Sequence, residues 1–414
     1  MTRFGAQEGG SHRFPAVLPD GRHFLYSWFG SAARGIYLGD TETLEGHRLI
    51  EADGSAVYAA GRVFFVRQGT VFAQDFDPKR LTLGGIPSVV GEGVAIDAAS
   101  LSLGALSAAS DGTIFYRTGY GRGRQLVWVD RSGRLIERAG EPYDGFNPSL
   151  SPDGRRVAMQ RTVNGNTDIW ILELGRHLFT RFTTRETLEN FPIWSPDGRY
   201  LAFGSNPKGS LDLYRKSANG VGADEMLQAS IGNPVNAEDW SSDGRFILFR
   251  TASVKTGYDL WAFPLDGDRK PFSIVQTEFA EREGQFSPDG NWIAYQSDES
   301  GRFEIYVQPF PGPGSRIPVS SGGGGQVRWR RNGKELFYVS FDGRLMSVPV
   351  AVSGRTLDVG APMALFATNI GGALQNTLGF QYAVSADGQR FLMNTVTQEA
   401  ASPITLILNW SPKH

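Results

Sequence analysis

The stretch FSPDGNWIAY at residues 286–295 joins a tight-turn signal to a short apolar run. Proline fixes φ at the first turn position, aspartate accepts hydrogen bonds from nearby backbone N–H groups, and glycine takes the left-handed conformation that closes the turn. The run at residues 292–295 is apolar throughout, as expected of a strand covered on both faces. The stretch therefore predicts a β-hairpin with a buried second strand.

The same turn signal recurs along the whole chain. Strong copies lie at residues 151–154, 195–198 and 241–244, and weaker ones at 18–21, 109–112, 331–333 and 385–388. From Gly154 onward the turn glycines are 44, 46, 46, 43 and 55 residues apart, close to the blade period of a β-propeller, about 40 to 50 residues. With one more turn at Gly61, nine units are predicted, turning near residues 21, 61, 112, 154, 198, 244, 290, 333 and 388.

A second signal follows each strong turn after about ten residues. An acidic residue precedes an aliphatic residue and an aromatic one, as in Asp168-Ile169-Trp170. Equivalent acids are Asp212, Asp259 and Glu304, and equivalent aromatics are Tyr214, Trp261 and Tyr306. The aromatics are expected to pack between blades, whereas the acids either bond the neighbouring hairpin or blade or bind a cation.

These patterns predict an all-β fold, a single closed β-propeller of four-stranded antiparallel blades over residues 1–414. Nine blades are predicted, with eight blades and one irregular unit as the alternative. The last unit ends at its third strand, residues 404–408, and residues 2–4 resemble the outer strand at 180–182. The N-terminal strand is therefore expected to join the last blade and close the ring, which removes an exposed sheet edge.

The composition and net charge of the chain argue against several kinds of partner and site. The chain is 40% hydrophobic with 52 glycines, as expected of a globular protein rich in turns, and its formal net charge of −2 disfavours nucleic acid as a partner. There are no cysteines, and no apolar run reaches the roughly 18 residues that span a bilayer, so neither disulfides nor direct membrane insertion is expected. The five histidines fall at unlike positions in their units, so no metal, cofactor or catalytic site is predicted.

The repeated turn aspartates are interpreted as structural, because they stand beside glycine in a turn. They are Asp20, Asp111, Asp153, Asp197, Asp243, Asp289 and Asp387. Residues that differ from blade to blade suit an asymmetric ligand better, and loops on a rigid scaffold often carry recognition. The candidate partner-binding residues therefore lie in the loops between second and third strands, with the channel mouth as a further place for a partner. These residues are Asn164, Asn166, Lys208, Lys255, Tyr258, Glu299 and Arg302.

The repeat resembles the TolB-type, WD-like propeller repeat across nearly the whole chain. More narrowly, residues 286–301, the segment 306–312 that contains Gln-Pro-Phe-Pro-Gly, residues 329–338 and the closing 408–410 are similar to the C-terminal propeller of bacterial membrane-anchored serine/threonine kinases. In that family a kinase domain and a transmembrane helix precede the propeller, which implies an extracytoplasmic sensor or scaffold. The glycine-rich ATP loop, His-Arg-Asp and Asp-Phe-Gly motifs are absent here, so kinase activity is not implied.

The sequence thus favours a non-catalytic binding or scaffold propeller, the sensor or protein-interaction domain of a larger signalling protein. Its ligand would be a protein, a peptide or a cell-wall component, and a monomer is expected. The alternatives are a hydrolase or lyase centred on the channel and a purely structural spacer. An extracytoplasmic location is expected if the chain is part of a membrane kinase, and a cytoplasmic one otherwise.

Overall fold

The computed structural model describes residues 11–29, 34–52, 54–94, 96–97, 103–117, 123–163, 166–185, 187–207, 210–230, 233–253, 255–353, 356–371, 379–397, 404–408 and 410. Within these ranges the secondary structure consists of β-strands and turns, without an α-helix. All strand pairs are antiparallel. The all-β, antiparallel prediction is therefore confirmed.

The strands follow one another at short intervals. The first twelve are β1 Ser11–Val17, β2 His23–Phe29, β3 Gly35–Asp40, β4 Gly46–Ile50, β5 Ala56–Ala59, β6 Arg62–Arg67, β7 Thr70–Asp77, β8 Thr82–Gly91, β9 Ile96–Asp97, β10 Leu103–Gly104, β11 Leu106–Ala108 and β12 Ile114–Arg117. The next fourteen are β13 Arg124–Asp130, β14 Leu135–Tyr143, β15 Gly145–Leu150, β16 Arg156–Val163, β17 Asn166–Glu173, β18 Leu178–Arg181, β19 Glu189–Trp194, β20 Tyr200–Ser205, β21 Asp212–Ser217, β22 Glu225–Gln228, β23 Val235–Trp240, β24 Phe246–Ser253, β25 Gly257–Pro264 and β26 Phe272–Val275. The last twelve are β27 Glu281–Phe286, β28 Trp292–Ser297, β29 Glu304–Pro309, β30 Ile317–Pro318, β31 Gly324–Trp329, β32 Glu335–Ser340, β33 Arg344–Ser353, β34 Thr356–Val359, β35 Met363–Ala367, β36 Tyr382–Val384, β37 Arg390–Val396 and β38 Ile404–Ile407.

Six sheets form a ring. Four of them are meanders in chain order, β15 to β18, β19 to β22, β23 to β26 and β27 to β30, and a fifth contains β31 to β35. The sixth sheet has the order β14-β13-β37-β36 and so joins two distant parts of the chain. Their first strands contact one another in a cycle, β36, β15, β19, β23, β27, β31 and back to β36. We call this arrangement the six-sheet ring.

Three more sheets lie outside the ring, and all their strands except β38 precede it in sequence. They are β1 to β4, β5 to β8, and a three-stranded sheet with the order β11-β12-β38. The sheet of β5 contacts both of the other two. A short pair, β9 with β10, lies between them in the chain.

The pairing of the last unit differs from the expected ring closure. Each of the nine predicted turns connects two antiparallel strands. However, β37 pairs with β13, and β38 pairs with β12, so the third and ninth units exchange strands. Neither nine blades nor eight blades is confirmed, and residues 2–4, the proposed closing strand, lie outside the described residues. The physical reason is that an antiparallel edge pairs equally well with a strand of its own unit or of a distant one.

The turn motif acquires its stability from a small hydrogen-bond network. In five turns the serine Oγ accepts the backbone N–H five residues on, at 2.9 Å in each, and donates to the aspartate two residues on. The five serines are Ser151, Ser195, Ser241, Ser287 and Ser385. Each serine is buried and thus satisfies a backbone donor at the start of the following strand.

The core lies between the sheets. Strands β16, β20, β24, β28 and β32 carry runs of fully buried residues such as Leu201, Ala202 and Phe203. The aromatics that follow the repeated acids also pack here, and Tyr214 and Tyr306 are 6% and 8% exposed. Burial on both faces of these strands explains their continuous apolar runs.

Candidate functional site

A cavity of about 690 Å³ opens where the repeated turns of the six-sheet ring come together. Its lining includes the turn residues Pro152, Pro196, Ser242, Pro288 and Ala386, each from a different sheet. A second cavity of about 190 Å³ shares lining residues with it and lies between the first strands of the ring. We call the two together the mouth cavity.

The mouth cavity is chemically asymmetric although its scaffold repeats. The last residue but one of the first strand lines the smaller cavity in each of the six sheets. These residues are Ser149, Ile193, Asp239, Gln285, Arg328 and Ala383. Three neighbouring sheets therefore supply a carboxylate, an amide and a guanidinium, and the others supply small or apolar groups. Such a surface has a defined orientation for a ligand.

Asp239 and Gln285 also bond the next sheet of the ring. The Asp239 carboxylate accepts the N–H of Phe286 at 2.9 Å, and the Gln285 amide oxygen accepts the N–H of Trp329 at 2.7 Å. Burial raises the pKa of Asp239 to about 7, against the lowering effect of the Phe286 N–H. The carboxyl of Asp239 therefore changes charge near neutral pH.

Arg328 forms part of the wall of the smaller cavity. Its guanidinium carbon lies 3.4 Å from the centroid of the Phe380 ring, so the cation packs on an aromatic face. Burial lowers the pKa of Arg328, and the nearby Tyr382, Asp239 and Glu283 raise it. The Phe380 ring therefore provides the direct contact of this guanidinium, and the acids act on it from a greater distance.

Paired charges lie on the inner side of the mouth cavity. Arg250 Nη1 lies 3.0 Å from Glu238 Oε1, and both side chains are almost fully buried. Arg282 packs on the Phe303 ring at 4.2 Å, and Glu283 Oε2 accepts the N–H of Gln326 at 2.8 Å. Burial raises the pKa of Glu238 to about 7 and raises that of Glu283. The two acids and two arginines balance in number, which limits the cost of burying them.

The six-sheet ring is also joined by hydrogen bonds between sheets. Four residues of the first strands lie at bulges with φ near +55°, namely Asn147 (56°), Phe191 (50°), Glu283 (55°) and Gln326 (59°). At such a bulge the side chain is re-aimed out of the strand's normal alternation. The Gln326 amide oxygen accepts the N–H of Gln381 at 2.8 Å, which bonds the sheet of β31 to the sheet of β36.

Chemical groups of the usual catalytic kinds do not gather at this site. Among the residues that the structure describes, no histidine lines the mouth cavity. Within the described ranges, no group of three or more His, Cys, Asp or Glu side chains is placed to hold a metal ion. The described lining of the mouth cavity offers polar and aromatic groups for contact with a ligand.

The turn aspartates all make the same contact. Each accepts, on one carboxylate oxygen, the backbone N–H two residues on, at 2.9 to 3.2 Å. The hydroxyl of Ser195 holds the pKa of Asp197 below its usual value, and Ser151 acts likewise on Asp153. These carboxylates accept hydrogen bonds within their own turns, and two of them, Asp153 and Asp387, also border the mouth cavity.

The candidate loop residues lie at the ends of the strands opposite to these turns. Asn166 donates to Asp168 and to the Arg185 carbonyl, both at 3.0 Å. Glu299 pairs with Arg316, and Arg302 bonds Glu304 at 3.0 Å. Tyr258 lies beneath the Arg250 guanidinium at 5.4 Å, whereas Lys255 is exposed. Asn164 and Lys208 fall outside the described residues, and a binding role for the loops remains a prediction.

The sequence analysis proposed the channel mouth as a place for a partner, but it did not identify the residues that make the mouth cavity chemically asymmetric. Asp239, Gln285 and Arg328 each precede the aromatic residue before a turn, as in Asp239-Trp240-Ser241. That position varies in chemical character among the repeats, whereas the residue that follows it is always apolar. Aligning the units on their turns and looking for the varying column would have found it.

No helix within the described part of the chain has the length and hydropathy needed to cross a bilayer.

Comparison with known proteins supports a propeller of this type. Residues 110–258 match the family described as TolB beta propeller domain. The peptidase YuxL of Bacillus subtilis is 37% identical over 118 residues, which are 27% of this chain and 18% of YuxL. The Tol-Pal system protein TolB of Francisella tularensis is 25% identical over 185 residues, 41% of this chain and 42% of TolB. The matches thus span about a fifth to two-fifths of the length of these relatives.

A solved structure shares the fold. It is a protein described as a TolB from Agrobacterium tumefaciens, 17% identical, with a TM-score of 0.53, and the match covers 67% of this chain and 100% of that one. This likeness supports a β-propeller fold, and the family match places residues 110–258 among sequences similar to the TolB beta propeller domain.

Proposed function

We propose that this chain is a non-catalytic binding propeller that takes a segment of a partner protein or peptide into the mouth cavity of the six-sheet ring. The observation that carries the proposal is the mouth cavity itself, an opening of about 690 Å³ with polar groups that differ from sheet to sheet. A symmetric spacer has no need of that asymmetry. Concave sites of this size with a few fixed polar groups are the usual places for ligands.

The lining favours an extended peptide of mixed character. Prolines and tryptophans form much of the wall, including Pro152, Pro288, Trp128 and Trp329. Charged side chains stand among them, and Arg331 donates to the Pro152 carbonyl at 3.1 Å across the cavity. Aromatic and arginine side chains are enriched where proteins recognise one another. The similarity to Tol-Pal system proteins supports a binding role in the same general way.

The propeller would serve a larger signalling protein as its extracytoplasmic sensor or interaction domain. The similarity of residues 286–301 and 329–338 to the propellers of membrane-anchored kinases supports this part of the proposal. A binding propeller suits that arrangement, because a rigid scaffold can position the residues that bind a ligand without a catalytic site of its own.

A selection with a random peptide library on the immobilised chain tests the proposal. The mouth variant is Pro196→Arg, which adds a charge to the lining of the larger cavity. The turn tolerates a residue other than proline at that place, since Ser242 occupies it in the next unit. The control is Lys255→Glu, on the exposed opposite rim. Both variants are first compared with wild type by circular dichroism and urea midpoint.

Selected peptides are expected to bind Pro196→Arg roughly tenfold more weakly than wild type, equivalent to about 1.4 kcal/mol, and to bind Lys255→Glu equally well. Peptides sensitive to Lys255→Glu alone would move the site to the candidate loops and refute the mouth cavity. Failure to select any peptide would favour the structural spacer.

A further inference from the structure

The acid at the start of each third strand is neutralised in a different way from blade to blade. In β17, Asp168 lies 2.9 Å from Arg181 Nη2. In β29, Glu304 lies 3.0 Å from Arg302 Nε and accepts the N–H of Gly323 at 2.8 Å. Two of these buried acids thus have an arginine from their own blade.

Asp259, at the same place in β25, has no such arginine. Its Oδ2 accepts the Thr256 hydroxyl at 2.9 Å and the Gln276 amide at 3.4 Å. Its Oδ1 is buried without a hydrogen-bond partner among the described residues. The residue is 1% exposed, so water cannot reach the whole carboxylate from the surface.

A second carboxylate lies beside it. Glu281 is the first residue of β27, whose sheet packs on β25, and it is 0% exposed. The hydroxyl of Thr277 donates to Glu281 Oε1, while Oε2 is buried without a partner among the described residues. Burial, and to a smaller degree the charge of Asp259, raise the pKa of Glu281 to about 7. Two buried acids thus repel each other across the packed strands β25 and β27, and each has one oxygen without a hydrogen-bond partner among the described residues.

The interface between β17 and β19 supplies an internal comparison. There Asp168 and Glu189 form the corresponding pair, both 1% exposed, and Arg181 adds the positive charge. For Asp259 and Glu281, the described residues contain no lysine or arginine within 4 Å. Arg316 lowers the pKa of Glu281 from beyond that distance, but its guanidinium is paired with Glu299. Like charges buried together without a counter-charge in direct contact are strongly unfavourable. The comparison indicates that something else supplies the positive charge.

We propose that Asp259 Oδ1 and Glu281 Oε2 bind a calcium-class divalent cation that joins the sheets of β25 and β27. The donor set consists of oxygens, two carboxylates with the adjoining hydroxyls of Thr256 and Thr277. Hard cations prefer oxygen ligands, and Ca²⁺ accepts irregular arrangements of them more readily than Mg²⁺ does. The cation supplies the positive charge that the Arg181 guanidinium supplies to the pair of Asp168 and Glu189. The site is distinct from the mouth cavity, so it stands independently of the proposed function.

The test is isothermal titration of the chelator-treated full chain with CaCl₂ at pH 8, together with melting curves in CaCl₂ and in EGTA. Wild type is expected to bind one Ca²⁺ and to melt at a higher temperature with it, because a ligand of the native state stabilises that state. Glu281→Gln and Asp259→Asn keep the side-chain shape and are expected to lose both effects. Glu189→Gln, in the pair of Asp168 and Glu189, is the matched control and should retain both Ca²⁺ binding and the higher melting temperature with Ca²⁺.

Absence of Ca²⁺ binding and of any Ca²⁺-dependent change in the melting temperature of wild type would overturn the proposal, and this readout needs no variant to fold. Binding that survives Glu281→Gln, or that Glu189→Gln abolishes equally, would overturn it as well. An increase in stability of Glu281→Gln in EGTA with no response of wild type to Ca²⁺ would assign the positive charge to a proton instead.

Discussion

Replacing Ser287 by alanine removes the hydroxyl at the centre of one turn network. Ser287 is 3% exposed, and its Oγ accepts the N–H of Trp292, which is itself 4% exposed. The same hydroxyl donates to Asp289 and holds the pKa of that carboxyl down against the effect of burial. Ser287→Ala therefore leaves a buried backbone donor without an acceptor.

The expected cost follows from those contacts. A lost hydrogen bond costs about 1 kcal/mol, and a buried donor left unsatisfied adds about 1 to 2 kcal/mol, so a loss of about 2 to 3 kcal/mol in the free energy of unfolding is expected. The control is Ser242→Ala in the preceding turn. Ser242 is exposed, and its hydroxyl donates only to the Pro288 carbonyl at 2.7 Å, so a loss below about 1 kcal/mol is expected there.

The assay is urea unfolding followed by tryptophan fluorescence, with the midpoint compared at equal slope. If Ser287→Ala differed from Ser242→Ala by less than about 0.5 kcal/mol, the hydroxyl would have no special part in the turn. The repeated serine would then have to be explained by something other than the Trp292 N–H.

Three further perturbations follow from the ring. The pKa of Asp239 in the folded state is raised to about 7, so its ionisation lowers the free energy of unfolding as the pH rises from about 4 to 7. Between pH 5 and 8, wild type should therefore lose more of that free energy than Asp239→Asn. Equal losses in urea unfolding series at these pH values would refute this. Asn394→Leu removes the side chain that hydrogen-bonds the Gly145 carbonyl, Gln381 and the Tyr143 hydroxyl. A loss of about 3 kcal/mol or more in the free energy of unfolding is expected by urea unfolding, and a loss under about 1 kcal/mol would contradict the network. In Gly145→Ala the new Cβ would lie 2.3 Å from the Gln160 carbonyl oxygen, whereas in Gly175→Ala nothing lies within 4 Å of it. The melting temperature of Gly145→Ala should therefore be well below that of Gly175→Ala, and similar melting temperatures would contradict the close approach.

The local part of the fold could be read from the sequence because turn chemistry is local. Proline, aspartate and glycine at residues 288–290 specify a hairpin wherever the chain places it, and all nine turns connect antiparallel strands. The role of the serine was missed, because its partner is a backbone N–H five residues on and leaves no mark in the side-chain pattern.

The closure of the ring could not be read in the same way. The pairing of β13 with β37 joins residues some 265 positions apart, such as Val127 and Met393, and neither strand carries a signal that names its partner. The mouth cavity depends on that closure, since its lining combines Val384 and Ala386 of the sixth sheet with the turns of the other sheets. Of the loop residues singled out in the sequence, Asn166, Glu299 and Arg302 make polar contacts with nearby residues, and a binding role for the loops stays a prediction.

The six-sheet ring, on which the mouth cavity depends, can be tested by cross-linking. The chain has no cysteine, so Gln125→Cys with Thr395→Cys provides the sole thiol pair, at positions directly opposite in β13 and β37. A short bis-maleimide is expected to join this pair within one chain, giving a faster-migrating band on a denaturing gel. The control pair Gln125→Cys with Thr405→Cys, whose second residue lies opposite Tyr116 in the sheet of β12, should remain open. Absence of the intrachain link in the first pair, or equal linking in both, would contradict the ring.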